Sequence, residues 1–191
     1  MNIKITYPPI KRASSIRRRL VKILRWPFIG ATVACPTVNL IFGSPWWYPI
    51  ALLGMFMVWN LIVSPDLVEY NRTSQFIKTI VGALVMLTLV DVLLAPGWAS
   101  FVVPLVCLGG VVVSGVLFFT DMERQKHNML PLILFLIFAF VGAIIGLSIW
   151  HEHDYWPFIA LGSTSLLLLL SLIIVLGPEF IREMKRRFHT K

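Results

Sequence analysis

Residues Leu130–Leu147 read LPLILFLIFAFVGAIIGL, and Leu161–Gly177 read LGSTSLLLLLSLIIVLG, with no charged side chain in either stretch. Both are apolar on every face of a helix and lack the alternation of apolar and polar residues that marks a barrel strand. In hydrocarbon every backbone N–H and C=O must be bonded within the protein, which leaves helices as the form for such runs. The stretches therefore read as lipid-embedded helices.

Working outward, the same character covers most of the chain. Of 191 residues, 58% are hydrophobic and 14% charged, and the mean hydropathy is +0.82. A soluble domain carries about 25% charged residues, so that class is excluded. A helix needs roughly 20 apolar residues to cross a ~30 Å core. Six blocks qualify: Leu24–Gly43, Trp47–Ser64, Gln75–Ala95, Trp98–Thr120, Asn128–Trp150 and Tyr155–Gly177. The expected fold is all-α, a polytopic membrane protein of six transmembrane helices in three hairpins. A basic amphipathic segment (1–23) would precede the membrane domain (24–177), and a basic tail (178–191) would follow it.

Charge gives the orientation. All 17 Lys and Arg lie in the N-terminal segment, the Pro65–Lys78 region, the Thr120–Asn128 loop and the C-terminal tail. The turns Gly43–Trp46, Ala95–Trp98 and Trp150–Tyr155 contain none. Basic residues stay on the cytoplasmic face, so both termini are expected inside. The first apolar block lacks an A-x-A cleavage site and reads as a retained span. The +8 net charge follows from this topology and implies no nucleic-acid partner.

The ends suit the anionic inner leaflet. In IKRASSIRRRLVKILRW, Ile16, Leu20, Ile23 and Leu24 share a helical face. Arg17, Arg18, Arg19 and Lys22 cover the remainder, and Lys185, Arg186 and Arg187 repeat the pattern after Gly177-Pro178. Each such cation near an anionic surface contributes about 1 kcal/mol.

Each presumed outer turn is short and followed by tryptophan and proline: PWWYPIALLG, PGWASFVVPLV and DYWPFIALG. Interfacial aromatics and first-turn prolines explain this; triplication of a hairpin unit is the sharper alternative. The last outer turn holds His151, Glu152, His153 and Asp154. Imidazoles and carboxylates can bind a first-row metal, but the i, i+2 spacing is not that of HExxH. The stretch reads as a wet turn between aromatics, and no metal or other cofactor is expected.

Asp91 is the only ionisable residue well inside a span, where a charge facing lipid at mid-depth costs up to ~3 kcal/mol. One expectation is an outward polar pocket floored by Asp91, with Asn39, Trp98, Ser148, Ser163, Thr164 and Ser165 nearby and His151–Asp154 above. The other is that Asp91 caps a helix or accepts a tryptophan N–H, and that the hydroxyls bond their own helices. Cys35 and Cys107 form no CxxC pair and read as small core residues. The pairs Gly30/Ala34, Gly110/Ser114 and Gly142/Gly146 have the small-xxx-small spacing of close helix contacts. No GxSxG, P-loop or dinucleotide fingerprint is present, so no enzymatic activity is expected.

Asp91, Gly97-Trp98, Pro104, Trp156-Pro157 and the closing KRRFH at Lys185–His189 together resemble an uncharacterised bacterial membrane-protein family, a domain of unknown function. Its longer members begin with a zinc ribbon, and this chain has no CxxC pair to match one. The resemblance implies a bacterial cytoplasmic membrane, adds interest to Asp91 and Trp98, and carries no activity. The expected function is an accessory or scaffold subunit working with a membrane-protein partner or a second copy. The alternative is the membrane subunit of a small-solute or lipid transporter.

Overall fold

The computed structural model describes residues 15–43, 46–60, 72–122, 129–149 and 155–188. Its order is α1 (Ser15–Phe42), α2 (Tyr48–Val58), α3 (Arg72–Leu93), α4 (Ala99–Thr120), α5 (Leu130–Ile149) and α6 (Trp156–Phe188). The described residues are all-helical, without strands. Four segments are long and apolar enough to cross a membrane: Thr73–Leu93, Ala99–Thr120, Leu130–Ile149 and Trp156–Gly177. They fall on the last four of the six apolar blocks.

The first two blocks take a different form. α1 runs unbroken through the expected boundary at residue 23/24, because nothing between Lys22 and Trp26 stops a helix. Its apolar half is diluted by Arg25, Thr32, Thr37 and Asn39, and by Pro27 and Pro36 inside the helix. The eleven residues of α2 span about 16 Å at 1.5 Å per residue. A π-helical turn at Trp59 and Asn60 follows, and the rest of that block lies outside the described residues.

Packing separates the chain into a bundle and an appendage. α3 lies against α4, α4 against α6, α6 against α5 and α5 against α3, with α4 and α5 also touching across the centre. The buried core draws on these four helices only, with Ile77, Val111, Phe118, Leu132, Leu136, Ala139, Leu161 and Leu172 among its members. Outside the bundle, α2 packs on α3 and α1 packs on α2, with no comparable contact from α1 to the bundle. No residue of α2 is buried.

Small residues allow the bundle's closest approaches. Gly110 and Ser114 are buried on α4, and a methyl group at Gly110 would lie 2.7 Å from the Ile80 side chain of α3. On α5, a methyl at Gly146 would lie 2.1 Å from the Phe158 ring of α6. Gly30 and Ala34 of α1 are exposed, and nothing lies within 4 Å of a methyl placed at Gly30. The same spacing thus makes contacts in the bundle and an open face on α1. Gly142 is likewise open. α6 bends at Gly177, whose backbone (φ 44, ψ −124) is non-helical, and its basic segment follows that bend.

Candidate functional site

The best-defined polar arrangement forms where α3 ends. The amides of Leu94 and Ala95 both donate to the carbonyl of Val90. The chain then reverses through Gly97, whose φ of 115° is open to glycine and strained for any L side chain. This reversal brings the start of α4 over the last turn of α3. There Asp91 Oδ1 accepts backbone N–H groups from Gly97 at 2.9 Å, Trp98 at 2.9 Å and Ala99 at 3.0 Å.

The first N–H groups of any helix lack partners within it, and Trp98, at the N-cap of α4, makes no side-chain cap of its own. Asp91 takes over that role from the neighbouring helix. A carboxylate is the most favourable occupant, since charge-assisted hydrogen bonds are short and strong and a helix N-terminus favours negative charge. The acceptor is one oxygen, and the tryptophan group it meets is the backbone amide.

The three aromatic starts resemble one another in their backbone bonding. The Trp47 carbonyl accepts the amides of Ile50 and Ala51, that of Trp98 those of Phe101 and Val102, and that of Tyr155 those of Phe158 and Ile159. Tyr155 is thereby the counterpart of Trp47 and Trp98, which explains the one-residue offset of Trp156 in the sequence pattern. Pro49 sits at the start of α2 and Pro157 is the second residue of α6, where a missing N–H costs nothing. Pro104 is inside α4 and buried. Phe101 and Trp156 meet edge to face, with centroids 5.8 Å apart, and tie the starts of α4 and α6 together.

The other expected pocket residues do not join Asp91. Asn39 is buried, but it closes the end of α1: its Nδ2 donates to the Gly43 carbonyl at 3.1 Å, and its own carbonyl accepts the Gly43 amide at 3.0 Å. Gly43 has a φ of 75°, the left-handed form that often ends a helix. Ser148 donates to Ile144, Ser163 to Ala160 and Ser165 to Gly162, each within its own helix. His151, Glu152, His153 and Asp154 lie outside the described residues. Among the described residues, no three His, Cys, Asp or Glu come together to hold a metal.

The basic residues occupy helix ends. Arg17, Arg18, Arg19 and Lys22 fall in the first turns of α1, and Arg19 and Lys22 are exposed. Lys185, Arg186 and Arg187 lie in α6 beyond the Gly177 bend. Sequence reasoning missed the two grooves that flank α2. One, of about 580 Å³, lies between α2 and α3; the other, of about 410 Å³, lies between α1 and α2. Composition carries no signal for them, because they arise from how loosely α2 is seated.

Fold and site define an all-helical protein with four helices of membrane-crossing length and a cross-helix cap at Asp91. Residues 7–190 match the model of a family of unknown function, DUF6320, and the chain belongs to that family. No curated protein and no solved structure matches it.

Proposed function

We propose that this chain is a multi-pass protein of the bacterial cytoplasmic membrane and serves as a non-catalytic accessory or scaffold subunit. Six crossing segments form three hairpins, with both termini on the cytoplasmic face, and the partner is another membrane protein or a second copy. The observation that carries the subunit reading is α1. It touches the rest of the protein mainly through α2, and its exposed face carries the Gly30/Ala34 pair. Exposed apolar side chains alone would not suffice, since lipid solvates them as well as protein does. An open small-residue pair does favour a second helix, because it lets backbones approach closely and gain dispersion contacts.

The use of Asp91 supports the same reading. It is the only carboxylate within residues 72–93, 99–120, 130–149 and 156–177, and its Oδ1 is engaged by three amides. A catalytic acid, or the floor of an outward transport pocket, would need that oxygen available.

Native mass spectrometry of protein extracted gently from its own membrane tests the subunit role. Wild type should carry a partner chain or appear as an oligomer, and Gly30→Leu should lose that species. The thermal midpoint of Gly30→Leu should stay unchanged, because nothing lies within 4 Å of the added Cβ. A wild-type protein that is always a lone chain sinks the proposal. Topology has its own test in cysteine labelling on a background lacking Cys35 and Cys107. Position 152 should react from outside, and positions 72 and 124 only from inside; the reverse pattern overturns the orientation.

A further inference from the structure

The groove between α2 and α3 is amphipathic along its length. At one end it is lined by Asn60 of α2 and by Gln75, Lys78 and Thr79 of α3. Farther along, the walls become Leu53, Phe56 and Met57 on one side and Val81, Gly82 and Val85 on the other. A methyl on Gly82 would lie 3.0 Å from Met57. That contact sets two antiparallel helices in register, with Asn60 level with Thr79 and Leu53 near Val85. The polar end coincides with the start of α3, which the charge pattern assigns to the cytoplasmic face.

We propose that this groove binds one anionic phospholipid of the cytoplasmic leaflet, its phosphate at Lys78, Asn60 and Gln75 and one acyl chain along the apolar walls. The inference rests on the membrane reading above. Three features agree in selecting a lipid. From Gln75 to Val85 the α3 wall rises about 15 Å, half of a ~30 Å hydrocarbon core and so the depth of a single leaflet. Its volume of about 580 Å³ is within the roughly 300–1,000 Å³ of small-ligand sites. The exposed Lys78 supplies a cation at headgroup depth, where Asn60 and Gln75 supply amide N–H donors for phosphate oxygens.

The absence of side-chain bulk at Gly82 keeps the groove open at its middle, and α2, with no buried residue, leaves the cleft unfilled. A soluble anion would gain nothing from the apolar two-thirds of the walls. A neutral lipid would gain nothing from the lysine.

The test uses the full chain in nanodiscs of equal phosphatidylglycerol and phosphatidylethanolamine with identical acyl chains, released into the gas phase for native mass spectrometry. Wild type should retain one phosphatidylglycerol, at least fivefold over phosphatidylethanolamine. Lys78→Gln should reduce that preference about fivefold, and Leu53→Trp, which fills the apolar end, should reduce retention of both lipids. Thermal midpoints from the same samples identify a variant that has merely unfolded, and Val85→Phe then replaces it as the filling substitution.

Equal retention of the two lipids by wild type overturns the proposal, as does an unchanged phosphatidylglycerol adduct in both variants. A dimer without lipid that Leu53→Trp dissociates would assign the groove to a second copy and equally overturn it. Failure of the membrane reading looks different: the chain would stay monodisperse without detergent or nanodisc, whatever the adducts.

Discussion

Replacing Asp91 with alanine is expected to destabilise the protein by about 2–3 kcal/mol, one of the two largest effects anticipated for a single substitution. The side chain accepts three backbone amides through one oxygen. Losing a helix cap costs about 0.5–2 kcal/mol, and a hydrogen bond to a charged group is worth about 1.5–3 kcal/mol. The three bonds share one acceptor and are not additive, and partial exposure of Asp91 screens its charge. The expected loss is therefore close to that of one strong bond plus one cap. Asp91→Asn keeps a carbonyl oxygen that can accept the same amides and loses only the charge, so about 1 kcal/mol is expected. For a chain of this size 1 kcal/mol shifts a thermal midpoint by roughly 2–4 °C. Thermal unfolding in one fixed detergent should rank wild type, Asn and Ala in that order. Equal midpoints for all three would show that the cap contributes nothing to stability.

Gly146→Ala should cost a similar amount for the opposite reason, too much volume in place of too little bonding. The added methyl would stand 2.1 Å from Cε1 and 2.4 Å from Cδ1 of Phe158. Phe158 is itself buried in the start of α6, so its ring cannot swing away without opening the contact between α5 and α6. Overpacking of this kind typically costs about 1–3 kcal/mol, and the depth of the overlap places this case toward the upper end. A second-site change distinguishes a steric cause from a backbone one. Phe158→Leu removes the atoms that collide, so Gly146→Ala should cost at least about 1 kcal/mol less in that background. Equal costs in both backgrounds would mean that the ring is not what Gly146 accommodates.

Together these substitutions probe two ways in which a helical bundle is tied. The Asp91 cap joins α3 to α4 through a polar contact at one end, and the Gly146–Phe158 contact joins α5 to α6 through shape. Both tie consecutive helices across a short connection. The link from α2 to α3 has no counterpart of either kind in its buried residues, and α1 is attached through α2. This gradient explains why the proposed partner face and the proposed lipid groove both lie on the α1–α2 side.

Much of the architecture was legible in the residues because it depends on local chemistry. Runs such as Leu130–Leu147 have one stable form in hydrocarbon, so their helical state follows from composition and length alone. Asp91 stood out because a carboxylate in an apolar run is costly wherever it faces. Helix capping was one of two readings open for it. Choosing between them required the reversal at Gly97, whose φ of 115° turns three amides toward a single oxygen. The sequence shows a glycine there, but not the direction in which the following N–H groups point.

The three small-residue pairs make the remaining distinction. Gly30/Ala34, Gly110/Ser114 and Gly142/Gly146 are identical in spacing. Yet Gly110 and Ser114 are buried, Gly146 meets an aromatic ring, and Gly30, Ala34 and Gly142 face open space. The sequence by itself determined the all-helical class, the positions of the four long apolar helices and the residue at which α6 bends, because each follows from apolar length or from glycine and proline chemistry. Only the tertiary structure decided which helices form the core, which small residues touch and what Asp91 holds. Those outcomes depend on which face of each helix meets another, and an apolar helix in lipid presents nearly the same hydrophobicity on every face.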